Sequence, residues 1–348
     1  YVVQNQNNIT IPYKRYQIQN VWRADRPQKG RFREFLQCDA DVIGSNSLMQ
    51  EIDFICLFDK VFTDLNLGGC RIKINSRKLL IGISEIFNCQ DKFSSLINQL
   101  DKLDKIERSE VKNNLLKLDF ESNVVDSIFE IIDLSNDFTT NKKKLKEIFK
   151  SSKIASEGFV EIDYLFSYIL KNSLNNSKLI FDLGLARGID YYTGVIFEVL
   201  PPEKISLGSI AGGGRYDNLT EIFGLKNMSG IGISFGLDRL FLVLEELDLL
   251  PDFSNNSTQI IFLNFGKDFS FDLISLTNSL RENNINCEFF PEPLSVKKQL
   301  SYANKNQIPF AVFYGEEERE KKYLTLKDMK SGKQEALTLE KLIEKLKK

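Results

Sequence analysis

The chain has 348 residues, 42% of them hydrophobic, with 46 Lys and Arg against 48 Asp and Glu and a formal net charge of −2. That length and apolar content suit two or three packed domains. The lack of any run of about 18 apolar residues speaks against a membrane span, and the polar opening YVVQNQNNIT lacks the basic-then-apolar order of a signal peptide.

The first predicted unit is an antiparallel hairpin, with strands at Lys14–Arg23 and Arg31–Ile43 joined by a loop whose Pro27 and Gly30 are turn residues. Period-2 alternation on the second strand puts Arg31, Arg33, Phe35, Gln37, Asp39 and Asp41 on one face and Phe32, Leu36, Cys38, Ala40 and Val42 on the core face. Between Arg23 and Arg33 stand five cations against one acid, a concentration suited to polyphosphate. The hairpin is therefore either a ligand-binding face or a solvated, charged sheet edge.

Apolar spacing at Met49, Ile52, Ile55, Cys56 and Phe62 predicts a helix over Ser47–Leu65. Cys70–Asn75 alternates as a strand, and Ser76–Ile86 reads as a short connection. From about Asp91 to Ser177 the chain is rich in Lys, Asn, Glu and Ser with helical spacing, as at Phe93, Leu96, Ile97, Leu100 and Leu103, and reads as an inserted helical domain. Its run Lys142, Lys143, Lys144 and Lys146 is a solvated helix face or, alternatively, an RNA contact.

Strands resume at Lys178–Leu183, and the block LARGIDYYTGVIFEVL fits a strand pair across Gly188–Leu200. The charge of Arg187 there needs a partner, and Asp190 is one candidate. AGGGRYD within Ser209–Asp217 is a close backbone approach to a ligand or a tight turn. GIGISFGLDRLFLVLEEL runs from a strand into a helix that begins near Asp238 and Arg239; its glycine spacing is neither that of a P-loop nor of a dinucleotide fold. After a linker at 252–258 the order is strand (Gln259–Phe265), helix (Phe269–Asn283), strand (Cys287–Phe290), helix (Ser295–Asn304), strand (Phe310–Tyr314), two strands around Ser331-Gly332 and a helix near Leu339–Lys347. That is a small α/β domain.

The chemistry available is narrow. With no histidine in the chain, Ser-His and Cys-His pairs, His-ligated metals and the usual general base near neutral pH are all removed. The cysteines Cys38, Cys56, Cys70, Cys89 and Cys287 form no C-x-x-C pair, which favours free thiols in a reducing compartment and gives no zinc or other metal site. A near-neutral charge excludes a generally basic nucleic-acid coat, so any RNA contact is local. Positioning, arginines, carboxylates and Mg²⁺ remain.

R-x-x-R-P-x-x-G-R-x-R-E-F in the hairpin, RGIDYYTG, GGGRYD and GLDRL occur in that order and together resemble the histidyl-tRNA synthetases, a family of class II aminoacyl-tRNA synthetases. The hairpin is similar to the second class II motif, GLDRL to the third, and the other two to histidine-specific signatures. The resemblance implies an α/β (α+β) fold: an antiparallel-sheet catalytic domain at 1–90 and 178–251, a helical insertion at 91–177 and a C-terminal α/β anticodon-binding domain at 259–348.

It also implies ATP-dependent activation of histidine to histidyl-adenylate and transfer to tRNA(His), in the cytoplasm. By the same resemblance Arg23 grips the α-phosphate, Arg31 and Arg33 serve the phosphate side, and Phe35 and Arg239 sandwich the adenine. Gln37, Asp41, Tyr192 and Tyr216 match the histidine pocket, where a carboxylate and a phenol suit the two imidazole nitrogens. Arg187 matches the catalytic arginine, which also faces the histidine carboxylate. ATP with Mg²⁺ is the implied co-substrate. In the family a first motif at the dimer interface precedes the hairpin. These residues, which start at Tyr1 and not at Met, hold no match to it, so the chain reads as a fragment of a homodimeric protein. The alternative from another class is a non-catalytic regulatory subunit or tRNA-sensing relative. Such relatives commonly lose catalytic arginines, whereas Arg23, Arg187 and Arg239 are present.

Overall fold

The computed structural model describes residues 1–24, 26–135, 137–188, 191–250 and 258–347. Asp190 and all of the expected linker except Thr258 lie outside the described residues. The chain forms two units, Tyr1–Leu250 and Pro251–Lys348.

The first unit opens with a short helix α1 (Val2–Asn5), then strands β1 (Tyr13–Trp22) and β2 (Glu34–Ile43), helix α2 (Met49–Asp64), strand β3 (Cys70–Ser76) and helix α3 (Arg77–Ile86). Five helices follow: α4 (Phe93–Leu100), α5 (Arg108–Lys117), α6 (Ser122–Ser135), α7 (Phe138–Phe149) and α8 (Lys153–Asn172). Strands β4 (Ser177–Phe181), β5 (Val195–Leu200), β6 (Ala211–Tyr216) and β7 (Gly230–Gly236) and helix α9 (Leu237–Glu246) complete it. The seven strands make one sheet in the order β1-β2-β7-β6-β5-β3-β4. Every pairing is antiparallel except β3 with β4.

Helix α2 lies on this sheet because Ile52, Ile55, Phe58 and Phe62 recur on one face and are all buried. The Phe58 ring meets Phe235 edge-on at 5.2 Å and Phe197 at 6.0 Å, so one helical side chain is packed against β5 and β7 together. Truncating such a side chain costs about 3–5 kcal/mol. The helical segment shares the same continuous core: Phe138 of α7 packs edge-on against Phe181 of β4 at 5.4 Å. Helices α3 and α8 touch most closely where a Cβ on Gly82 would collide with Ala155 and one on Gly158 would sit 2.9 Å from the Lys78 Cβ.

Four local expectations are corrected. The second hairpin strand starts at Glu34, not Arg31, because Gln28 and Arg31 exchange backbone hydrogen bonds of 3.1 and 2.8 Å around Gly30, whose φ is +70°, and close a tight loop. Arg31 and Arg33 therefore stand in that loop, and Phe32 is exposed instead of core-facing. Ser76–Ile86 is mostly the helix α3, whose Leu79, Leu80 and Ile83 are buried at helical spacing behind a polar start. Among the described residues of Gly188–Leu200 there is one strand, in the C-terminal half; the amides of Tyr191 and Tyr192 turn back to the Gly188 carbonyl, where φ is +68°. AGGGRY is not a turn but an inner strand. A Cβ on Gly213 would strike the Gly232 carbonyl of the adjacent β7, so the missing side chains let these strands approach.

The second unit is built from β8 (Ile260–Phe262), α10 (Ser270–Glu282), β9 (Cys287–Phe289), α11 (Val296–Lys305), β10 (Phe310–Phe313), α12 (Glu316–Lys321), β11 (Leu324–Asp328), β12 (Gln334–Leu337) and α13 (Leu339–Leu346). Its sheet order is β12-β11-β10-β8-β9, with β8 parallel to both β9 and β10. The expected elements recur here within a few residues; α12, an acidic helix of six residues, has too few apolar residues to announce itself. Among the described residues no helix is long and apolar enough to cross a membrane.

Candidate active site

Strand β2 carries the site. Its residues Phe35, Gln37, Asp39 and Asp41 point to one face, as the alternation requires, and line two cavities that lie end to end along it. The first, of about 420 Å³, is lined by Arg23, Arg31, Phe35, Arg187, Glu198 and Arg239 among others. The second, of about 750 Å³, is lined by Arg15, Asp39, Asp41, Tyr191 and Tyr216. Gln37, Tyr192, Gly212, Gly213 and Ser234 border both, so the cavities adjoin across the glycines of β6.

The first cavity is crowded with cations. Burial, and after it the guanidinium groups of Arg187, Arg23 and Arg31, push Arg239 below the ordinary arginine value. Its Nε donates to the Gly30 carbonyl and its Nη1 to the Ser209 carbonyl, both at 2.6 Å. Arg23 stacks over the Phe35 ring with its Cζ 4.1 Å from the centroid. Arg187 reaches Glu198 at 2.5 Å and donates to the Ser209 hydroxyl at 3.0 Å. Glu198 is only 1% exposed, and burial raises its carboxyl even against Arg187. Asp238, at the start of α9, accepts from the Leu36 amide at 2.8 Å and so fixes β2 beside Phe35. Like charges gathered this closely make the cavity a favourable place for an anionic group. Arg33 lines neither cavity.

In the second cavity the Tyr216 hydroxyl donates to Asp41 Oδ1 at 2.7 Å, and Arg15 stands 3.5 Å from Oδ2. Burial raises Asp41 above the ordinary carboxyl value, opposed by the Tyr216 hydrogen bond and by Arg15. Burial and then the neighbouring Tyr191 push Tyr192 up to about 12, so the phenol is a neutral donor at any working pH. Glycine again makes the room: a Cβ on Gly232 would collide with the Asp41 carboxylate. Gln37 donates from Nε2 to Ser234 Oγ at 2.5 Å and to Asp39 at 3.2 Å, which orients its amide where the cavities meet.

The residues singled out in the sequence thus divide between the two cavities: Arg23, Arg31, Phe35, Arg187 and Arg239 border the first, Asp41 and Tyr216 the second, and Gln37 and Tyr192 both. Glu198, Asp39, Tyr191, Ser209 and Ser234 are added by the structure. Glu198 carried a usable signal, a lone carboxylate in the apolar run VIFEVL; Asp39 shared the face of Asp41 but matched no motif. Behind the site, Arg215 uses five donor bonds: two to Glu51 of α2 at 2.5 and 2.7 Å, one to Ser229 Oγ at 2.6 Å, and two to the carbonyls of Ser45 and Ser47 at 2.8 and 3.3 Å. This network holds the end of β6, where Tyr216 stands.

Residues 3–240 match the family described as histidyl-tRNA synthetase, and residues 259–348 match the anticodon binding domain. A histidine--tRNA ligase of Christiangramia forsetii is 50% identical over 97% of this chain and 74% of its own length. One from Flavobacterium johnsoniae is 46% identical over 98% of this chain and 72% of its own length. The crystal structure of histidyl-tRNA synthetase from a Nostoc species superposes with a TM-score of 0.87 at 29% identity, covering 100% of this chain and 80% of that one. With its first unit matched almost end to end and relatives this similar over nearly its whole length, the chain belongs to the histidyl-tRNA synthetase family.

Proposed function

We propose that this chain joins histidine to ATP as histidyl-adenylate and passes the histidyl group to its tRNA, as expected of the family. The observation that carries the reading is the adjacency of a cation-crowded cavity to a tyrosine–carboxylate cavity along one strand. ATP enters as Mg·ATP; Mg²⁺ accompanies the phosphates as part of the substrate.

Phe35 and Arg239 take the adenine, and Arg23 and Arg31 the phosphates, with Arg33 assisting from the loop. Asp41 and Tyr216 hold the imidazole, with Tyr192 and Gln37 bordering the amino acid. A carboxylate oxygen of histidine attacks the α-phosphorus and pyrophosphate leaves; no proton has to move, so no general base is needed. Arg187 stabilises the charge that gathers on the α-phosphate oxygens in the transition state. The second unit takes the anticodon, the intact protein is a homodimer, and it works in the cytoplasm, where ATP and tRNA are supplied.

Pyrophosphate exchange screened over all twenty amino acids tests the reading. Exchange with histidine alone is expected. Exchange with another amino acid and none with histidine refutes it, and a protein that binds ATP with no response to histidine is a nucleotide-binding relative and not a ligase.

A further inference from the structure

We infer that Arg77, the first residue of α3, is a positioning residue for Arg187. It lines neither cavity and is 3% exposed, so it does not reach substrate. Its guanidinium instead grips the backbone of the loop that presents Arg187. Nη2 donates to the Arg187 carbonyl at 3.2 Å and to the Gly188 carbonyl at 2.5 Å, and Nε to the Tyr192 carbonyl at 3.4 Å. The Arg77 amide donates to the Gly194 carbonyl at 2.8 Å. Two residues earlier, buried Asn75 donates from Nδ2 to the carbonyls of Leu183 and Leu185 at 3.3 and 2.8 Å.

The junction of β3 and α3 therefore holds six carbonyls between Leu183 and Gly194, on both sides of Arg187. Arg187 and Gly188, with φ +68° at Gly188, have no sheet partner, so their carbonyls stand outside any ladder and open to side-chain donors. A planar fork of N–H groups can bond several carbonyls at once; the ammonium of a lysine, at the end of a flexible stem, cannot match that pattern.

The clamp also has a foundation. Helix α3 is set against α8 by Lys78 to Glu161 at 2.6 Å, Ser76 Oγ to Glu161 at 3.3 Å and Ser152 Oγ to Glu85 at 2.6 Å. The helical segment thus braces the residue that braces the catalytic loop. Arg187 itself is 43% exposed at its side chain, with Glu198 and Ser209 as partners at its tip, so a shift of its backbone would draw the guanidinium away from both.

The inference rests on the proposed role of Arg187, and its test separates the two. Single-turnover adenylate formation is measured in the intact protein for the wild type, Arg187→Ala, Arg77→Lys and the double variant, with thermal melts alongside. Arg77→Lys is expected to slow adenylation roughly 100-fold, the effect of a small misplacement of a catalytic group, with the dissociation constants for histidine and ATP within about threefold. In the Arg187→Ala background the same substitution should cost less than about threefold, because the group it positions is already gone. Losses that multiply in the double variant, or an Arg77→Lys rate within threefold of wild type, overturn the inference. If Arg187→Ala alone is unimpaired, the reading of Arg187 fails instead. Arg77→Gln, which keeps an amide donor for the loop, carries the same cycle if Arg77→Lys does not melt cooperatively.

Discussion

The ion pair between Arg215 and Glu51 offers the sharpest test of how the site is held. Both side chains are sealed from water, at 7% and 0% exposure, and all five guanidinium donors are used. Burial alone would lower Arg215, yet the Glu51 carboxylate, followed by Asp217 and Glu161, more than reverses it. Glu51→Gln keeps the shape and removes the charge, leaving a buried cation with a neutral partner and one amide donor facing another. Breaking such a pair from one side costs about 3–5 kcal/mol. For a unit of this size each kcal/mol moves the midpoint by about 2–4 °C, so the first unit should melt roughly 6–20 °C lower. Scanning calorimetry reads this, and the transition of the second unit should stay in place. Histidine binding should weaken as well, since Tyr216 follows Arg215 in β6. A loss below about 1 kcal/mol would place the pair among ordinary surface bridges and refute the reasoning.

Three further outcomes follow from the cavities. Arg187→Ala should lower the adenylation rate about 10²–10³-fold while histidine affinity changes only a few fold, because the charge it meets exists in the transition state; near-normal single-turnover formation rules the role out. Under the proposed reading Asp41→Asn removes one charged hydrogen bond to the ligand, worth about 1.5–3 kcal/mol, so histidine should bind roughly 10–150-fold more weakly with ATP affinity unchanged, and equal weakening of both by calorimetry would move Asp41 away from the imidazole. Glu198 has a raised carboxyl, so it takes up its proton at a higher pH than an exposed glutamate. Acidification then costs no stability through this group: the penalty for burying its charge builds up as pH rises from the ordinary glutamate value to the raised one, and acid relieves it. What is lost is the ion pair with Arg187, so adenylation at saturating substrates should decline on the acid side from above the ordinary glutamate range. Glu198→Gln should lack that limb, and the same limb in the variant refutes the assignment.

The cavity-lining face of β2 was legible because alternation needs no knowledge of partners: the placing of Phe35, Gln37 and Asp41 on one face follows from period 2 alone. The resemblance added roles that no spacing could supply. What stayed hidden depends on distant partners. Glu51 and Arg215 are 164 positions apart, and Arg77 and Arg187 are 110 apart, so neither link leaves a local pattern. The loop at Gln28–Arg31 cut the second strand short through backbone bonds that any residues could make, and the glycines of β6 have the same composition whether they turn or lie between two strands. α3 was missed because its first residues are polar; Arg77 and Lys78 bind the loop that carries Arg187 and helix α8.

Strand β2 also acts as a ruler. Phe35 and Asp41 are six residues apart on one face, which at the rise of an extended strand is roughly 20 Å. A β-strand paired with β1 along its whole length and with β7 from Gln37 onward cannot stretch or shorten to suit its occupant. Under the proposed reading the two ends of the adenylate are gauged against fixed marks, so length is screened together with ring chemistry. An amino acid one methylene longer or shorter, seated on Asp41, would present its carboxylate off register with Arg187. Redesign toward another amino acid therefore has to move the reacting group back into line as well as reshape the floor of the pocket, and changing Asp41 and Tyr216 alone should yield binders that do not react.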